Sequence, residues 1–395
     1  MKINKILDRS TNLLKEDYTK LLPSLSSQVR GSKFLIIGGA GSIGQAVVKE
    51  ILKLDPKVVH IVDISENELV EQVRGIRSSI GYISGELKTF CLDFGSYEFE
   101  AMLRSEKSYD YIFNLSALKH VRSERDPYTL MRMIKVNILD TIKSVQLAKE
   151  VNASNYFCVS TDKAANPANM MGASKRIMEM FLHKESLGQH ITMARFANVA
   201  FSNGSLLHGF LNRLEKKQPL SAPNDITRYF IKSEEAGQLC LLSCLTGENM
   251  DIYFPKLDVS FNQEKFSDLA IRILEARGYE PHECESEKEA RDLVGELIPQ
   301  GKWPCFFFSS DTSGEKQYEE FYTSSETVDF DKFEAIGVIK HTSKINLEAL
   351  RYFDRKIQVL LQNGDWKISD LLELFERTIP NFQHIEKGKN LDQKM

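Results

Sequence analysis

The sequence predicts an α/β protein built on a doubly wound parallel sheet with a smaller mixed α/β part beyond it. Three observations carry that expectation. Gly38-Gly39-Ala40-Gly41-Ser42-Ile43-Gly44 lies directly between an apolar run, Phe34 to Ile37, and the start of a helical pattern. Strand and helix patterns alternate from Lys33 to about Asn198, the rhythm of βαβ units whose parallel sheet is covered on both faces. The second strand pattern ends on an acid, Asp63, nineteen residues after Gly44.

Residues 1–32 precede the first strand, and Leu13, Leu14, Tyr18, Leu21 and Leu22 can share one face of a helix from about Ser10 to Leu22. This segment is expected to serve as a packing or dimer arm. Strands follow at Phe34–Ile37, Val58–Val62, Lys88–Leu92, Tyr111–Asn114, Tyr156–Ser160 and Ile191–Phe196, with helices after Ser42 and Ser65, from Pro127 to Glu150 and from Met170 to Leu187. Residues 33–199 are therefore expected to form the nucleotide-binding core. Residues 200–345, with a charged helical stretch at Ser286–Leu297 and an aromatic strand at Trp303–Phe308, are expected to be mainly substrate-binding. C-terminal helices over 346–380 and a polar, mobile tail over 381–395 complete the division. Residues 280–310 read as a lengthened connection of no derived role.

The 395 residues suit a nucleotide-binding domain with additions, and a net charge of −4 with 42% hydrophobic residues leaves no basic excess to attract nucleic acid. Six cysteines are scattered without CxxC pairs, which fits a reducing cytoplasm and predicts no metal site. The N-terminal lysines are followed by no apolar stretch long enough to export or anchor the chain.

Glycine at Gly38, Gly41 and Gly44, flanking Ser42 and Ile43, lets backbone N–H groups at a helix N-terminus approach a pyrophosphate. With the preceding strand and Asp63, this is the pattern of a Rossmann-type dinucleotide site. Asp63 can accept both ribose hydroxyls of the adenosine half, and Ile64-Ser65-Glu66-Asn67 offers no basic residue. A 2′-phosphate about 4 Å away would be opposed by roughly 4 kcal/mol at an effective dielectric of ~20. The expected cofactor is thus NAD rather than NADP. Capping of the helix near Ser65 is the competing role for Asp63. Asp93, after the third strand, is a second acidic candidate, for the adenine amine.

From Ser160 to Lys175 the chain reads STDKAANPANMMGASK. In short-chain dehydrogenases a tyrosine four residues before a lysine removes a hydroxyl proton. Here Met171 holds that place before Lys175, while Asp162 and Lys163 supply proton-transferring groups. The exchange points to elimination rather than simple oxidation. The structural alternatives are a turn and cap for Thr161, Asp162 and Lys163, core filler for Met171, a solvated charge for Lys175 and a buried helix asparagine for Asn137.

These stretches, with ALKHV at 117–121, RFANV at 195–199, TRYF at 227–230 and GEKQYEE at 314–320, resemble the extended short-chain dehydrogenases that act on nucleotide sugars. Within them the chain is similar to UDP-N-acetylglucosamine 4,6-dehydratases of bacterial surface-polysaccharide pathways, over about residues 33–330. The branch with methionine in the tyrosine's place resembles the one that retains configuration at C5, as in routes to bacillosamine and legionaminic acid. The resemblance implies hydride transfer from sugar C4 to NAD, removal of the C5 proton by Lys163, departure of the C6 hydroxyl assisted by Asp162, and return of the hydride to C6. It implies that Thr161 hydrogen-bonds O4 and that Lys175 meets the nicotinamide ribose. A lysine base must be neutral when it works, and burial beside Lys175 would act in that direction.

By the same resemblance Lys119 meets the sugar or a phosphate, His120 orders its loop, and Asn198, Arg228, Glu315 and Lys316 lie near the nucleotide half. Thr312-Ser313 stand before Gly314 where the commoner pattern has Arg-Pro, which leaves GDP-N-acetylglucosamine open beside the UDP sugar. The missing tyrosine leaves Thr161, Lys175 or a water to accept the O4 proton. A 4-epimerase or inverting dehydratase, and a dinucleotide-sensing scaffold without activity, are the other readings. The family also implies a dimer-based homo-oligomer, with helices 127–150 and 170–187 forming a four-helix contact between subunits.

Overall fold

In the computed structural model of the chain the described residues are 3–256, 263–310, 319–340, 346–380 and 382–384. Six strands form the centre: β1 Lys33–Ile37, β2 Val58–Asp63, β3 Glu86–Cys91, β4 Tyr111–Asn114, β5 Asn155–Thr161 and β6 Ile191–Phe196. They lie parallel in the order β3-β2-β1-β4-β5-β6. Reversal of order between β1 and β4 opens a crevice at the strands' carboxyl ends, where ligands bind in such sheets.

Three more strands join from beyond residue 199. Ile252–Pro255 pairs parallel with β6, and Ile336–Lys340 and Thr327–Asp329 continue the sheet antiparallel, making nine strands. The part expected over 200–345 therefore divides between this sheet and a second core. That second core surrounds a parallel three-stranded sheet, Glu280–Glu283, Lys302–Phe308 and Leu220–Pro223. Leu207, Phe210, Leu269, Ile273 and Trp303 are buried there. The connection over 280–310 supplies two of its strands.

The arm is tied to its own chain at both cores. Ile6 and Leu7 enter the second core, and Leu14, Leu25 and Val29 the first. Arg9 pairs with Glu235 at 2.7 Å, and the Asp17 carboxylate accepts the Glu334 and Ala335 N–H groups at 2.8 Å. The main helix runs Lys15–Val29, later than expected. Leu13 N–H donates to Glu235 and Leu14 N–H to the Asn12 side chain, so side chains satisfy the backbone that an earlier helix start would have used.

The helix from Pro127 to Glu150 is continuous but widens to a π-helical turn at Lys135–Leu139. Helix Met170–Glu185 packs beside it and is buried nearly all round. The chain's own helices Leu347–Asn363 and Ile368–Thr378 pack on Met170–Glu185, and the latter also on Pro127–Ile134. Phe181 lies edge-on to Phe353 at 5.7 Å, and Tyr128 meets Trp366 at 6.0 Å. These C-terminal amphipathic helices bury their apolar faces there. No helix among the described residues is long and apolar enough to cross a membrane.

Candidate active site

The crevice between β1 and β4 is a cleft of about 450 Å³. At one end the glycine loop turns from β1 into helix Ser42–Leu52. Gly38 has φ +71°, and a Cβ on it would lie 2.7 Å from the Ser116 nitrogen. A Cβ on Gly44 would strike the Gly38 carbonyl oxygen. Both glycines are demanded by the protein's own packing. Gly41 is different: a Cβ there comes no nearer than 3.4 Å to protein. Gly41 is the N-cap and carries no side-chain cap, so the space before a positively polarised helix end is open to an anionic group. Ser42 and Ile43 line that space, and Ser42 Oγ accepts the Asn203 N–H at 2.8 Å from the loop that closes over it.

At the other end Thr161 closes β5, and Asp162 and Lys163 form the turn that follows. Thr161 Oγ1 donates to Asp162 Oδ1 at 2.8 Å, and Lys163 Nζ stands 3.2 Å from the same oxygen. Thr161 also caps the turn through the Lys163 N–H, so capping and exposure to the cleft coexist. Lys163 is partly buried, with 32% of its side chain exposed, and is ion-paired with the buried Asp162. Lys175 is the buried lysine of the site. It donates to the Val159 carbonyl at 3.1 Å, and burial lowers its pKa.

Met171 lines the cleft one turn before Lys175 and offers no hydroxyl. Its N–H is held by Glu124 at 2.8 Å. Asn137, in the π-helical turn, brackets both backbone groups of Leu118 at 2.9 and 3.0 Å and donates to Ser174 Oγ at 3.0 Å. It therefore fixes the loop carrying Lys119 against the helix carrying Lys175. Lys119 and His120 line the cleft. Burial lowers the pKa of Lys119, and burial, with the charges of Lys119 and Arg122, lowers that of His120. A Cβ on Gly204 would lie 2.8 Å from His120 Nε2, so His120 supports the loop over the cleft. Asn198 lines the same wall.

Not every residue singled out in the sequence reaches this cleft. Asp63 does not line it. Its carboxylate accepts the Ala40 N–H and the Ser65 N–H, each at 3.0 Å, which joins the glycine loop to the next helix. A carboxylate has about four acceptor sites, so two remain. The helix cap itself is Ser65. Asp93 is exposed and closes its own turn through the Gly95 N–H at 2.9 Å. Arg228 is buried outside the cleft lining and donates to the Thr227 carbonyl at 2.8 Å. Glu315 and Lys316 lie outside the described residues.

Two features were not singled out from sequence. Beneath the site, buried Arg195 on β6 binds Glu179 at 2.7 Å, Glu326 at 2.8 Å and the Phe321 carbonyl at 2.7 Å. Glu179 also accepts from Ser160 at 2.6 Å. Glu319 accepts from Asn198 Nδ2 at 2.6 Å and from the Tyr229 N–H at 2.7 Å. Among the described residues no cluster of His, Cys, Asp or Glu is suited to a metal ion.

A family model for polysaccharide biosynthesis proteins matches residues 34–341, which spans the glycine loop, the Thr161–Lys163 turn and both sheets. The chain belongs to that family. It is 28% identical to an uncharacterised membrane protein of Methanocaldococcus jannaschii, over 81% of this chain and 89% of that protein. It is 27% identical to the capsular polysaccharide biosynthesis protein CapD of Staphylococcus aureus over 86% of this chain, and spans 53% of CapD's length. In fold it is similar to Pen from Bacillus thuringiensis, with a TM-score of 0.64 at 20% identity, covering 85% of this chain and 98% of that one. It is also similar to WbmF of Bordetella bronchiseptica, solved with NAD+, with a TM-score of 0.51 at 20% identity over 64% of this chain and 80% of that one.

Proposed function

We propose that this polysaccharide biosynthesis protein is an NAD-dependent nucleotide-sugar 4,6-dehydratase that acts on UDP-N-acetylglucosamine and retains configuration at C5. The observation that carries this reading is the contact of Thr161, Asp162 and Lys163 in the cleft that also holds the glycine loop, with Met171 where a hydroxyl would stand. Gly38, Gly41, Ser42, Ile43 and Gly44 would hold the pyrophosphate of NAD, Asp63 the adenosine ribose and Lys175 the nicotinamide ribose. Asp93 remains the candidate for the adenine amine. Bound NAD would take a hydride from sugar C4 and give it back to C6.

The protein groups move the protons. Thr161 Oγ1 donates to Asp162 Oδ1, a contact through which the O4 proton can pass to that carboxylate without a tyrosine. The O4 proton makes Asp162 the acid for C6, and Lys163, neutral when it works, is the base for C5. Lys163 then takes the C5 proton, Asp162 protonates the departing C6 hydroxyl, and Lys163 returns a proton to C5. Lys119 is proposed to meet the sugar or a phosphate, and Asn198, Arg228, Glu315 and Lys316 to lie near the nucleotide half. GDP-N-acetylglucosamine is the competing substrate. A UDP-glucose 4-epimerase of Rickettsia akari is 29% identical over 74% of this chain, so epimerisation is the competing reaction. Incubation with each N-acetylglucosamine nucleotide separates these. We expect a product lighter by one water from the UDP sugar; a product of unchanged mass would mean epimerisation.

NAD selectivity should rest on Asp63. Replacing it with alanine removes the charge that opposes a 2′-phosphate, so Asp63→Ala is expected to weaken NAD binding and narrow its advantage over NADP. Fluorescence titration with both reduced cofactors measures this. Equal affinity of the unaltered protein for the two would refute the assignment.

A further inference from the structure

The loop over 200–205 runs from the short strand Asn198–Val199 to helix Leu206–Glu215 and lines the cleft with Ser202, Asn203, Gly204 and Ser205. Its two ends are fixed. The Ala200 N–H donates to the Ile231 carbonyl at 2.9 Å and Phe201 packs against the second core, while Ser205 Oγ accepts the His208 N–H at 3.3 Å and caps the helix. Between these ends Asn203 and Gly204 are exposed. The chain turns sharply on either side of them, with φ +58° at Phe201 and +74° at Gly204, and at Phe201 it does so in a region that a β-carbon resists.

Two posts hold the tip of this loop against the cleft. The Asn203 N–H donates to Ser42 Oγ at 2.8 Å, on the first turn of the helix whose N-cap is Gly41. Gly204 lies so close to the His120 imidazole that a Cβ on it would stand 2.8 Å from Nε2. His120 follows the Leu118–Lys119 segment, and Asn137 brackets both backbone groups of Leu118. One post thus belongs to the glycine loop's helix and the other to the loop that carries Lys119. Beside the same tip lies a second cavity of about 580 Å³, bordered by Phe201, Asn203 and Ser42 and by Lys49 and Glu234. Ser42 and Asn203 border both spaces, so their hydrogen bond is a partition between the cleft and that cavity. A close-packed interior does not yield to a moving loop. This loop has open volume next to it and an exposed tip, the features of a segment that opens locally.

We propose that Ser202–Ser205 is a strap over bound NAD, latched by Ser42 and His120, which controls exchange of the cofactor by swinging into the second cavity. It rests on the assignment of NAD to the glycine loop, and it holds for dehydration and epimerisation alike. Both reactions return the nicotinamide to its starting redox state, so neither calls for release between turnovers. A strap that stays latched through the cycle keeps the hydride with the sugar it came from.

The test loads the purified protein with NADH, chases it with excess NAD and follows the loss of nicotinamide fluorescence. Asn203→Pro removes the donated N–H, and release should quicken by roughly two- to tenfold, the worth of one hydrogen bond. Lys49→Trp adds bulk to the second cavity from an exposed position outside the cleft lining. It should slow release and uptake severalfold together while leaving the equilibrium affinity unchanged, which a merely structural lesion would not do. Unchanged release in Asn203→Pro would overturn the strap, and release that is unchanged or faster in Lys49→Trp would overturn its opening into the cavity. Should Asn203→Pro fail to fold, Gly204→Ala decides in its place. Its added Cβ has no room beside His120, so release should quicken, and unchanged release again overturns the proposal. If the unaltered protein holds no NADH, the cofactor assignment falls instead, an outcome distinct from these.

Discussion

Lys163→Met is expected to bind NAD and sugar nucleotide yet release no water, with turnover lower by about 10²- to 10⁴-fold, the usual contribution of one positioned proton-transfer group. In heavy water the unaltered enzyme should place deuterium at C5 of a 4-keto-6-deoxy product that keeps the gluco-series configuration there. Lys163→Met should place none, because the amine 3.2 Å from Asp162 is the proposed base. Asp162→Asn should slow water loss more than C5 exchange, since it removes the proposed acid. Binding should survive in both, because the glycine loop follows β1 and the Thr161–Lys163 turn follows β5, on separate elements of the cleft. Proton NMR of the product reads both results. An inverted C5 centre, or near-normal turnover of Lys163→Met, would end this assignment of the base.

Much of the scaffold was legible because its signals are local. Phe34–Ile37, Val58–Asp63 and Ile191–Phe196 are short apolar runs bounded by turn residues, and the glycine loop has its own spacing. Residues at the carboxyl ends of adjacent parallel strands must converge, so Lys119 after β4, Thr161 to Lys163 after β5 and Asn198 after β6 meet in one cleft. What was not legible depends on contacts between distant residues. Glu319 meets Asn198 across 121 positions and Arg195 meets Glu326 across 131, and no periodicity encodes such pairings. The strands that return to the sheet at Ile252–Pro255, Thr327–Asp329 and Ile336–Lys340 are short and interrupted by residues that fold elsewhere. The C-terminal helices were visible as amphipathic patterns. An apolar stripe looks the same whether it covers its own chain or another, so the pattern alone does not say what it meets.

Arg195→Met should destabilise the fold by about 3–5 kcal/mol at neutral pH, the usual cost of leaving buried charges without their partner. Arg195 is fully buried and serves Glu179, Glu326 and the Phe321 carbonyl at once. Burial alone would raise the Glu326 carboxyl, but the Arg195 hydrogen bonds and charge, the Thr323 N–H and Arg176 hold it down to about 2. The Glu179 carboxyl is held low in the same way against its burial. A folded-state pKa below the unfolded value means stability that is complete above the unfolded carboxyl range and lost as pH falls through the folded value. For Glu326 that window runs from about 4.5 down to about 2, and its size is on the order of 3 kcal/mol. Glu326→Gln should therefore be less stable than the unaltered protein at pH 7, and the gap should narrow as pH falls from about 4.5 toward 2. Denaturant unfolding at several pH values measures this. Because Glu179 also holds Ser160, next to Thr161, and Arg195 holds Phe321, two residues beyond Glu319, the same substitutions should slow water release in protein that remains folded. Equal stability at pH 7, or curves that stay parallel into acid, would mean that the buried arginine does not organise the floor of the site.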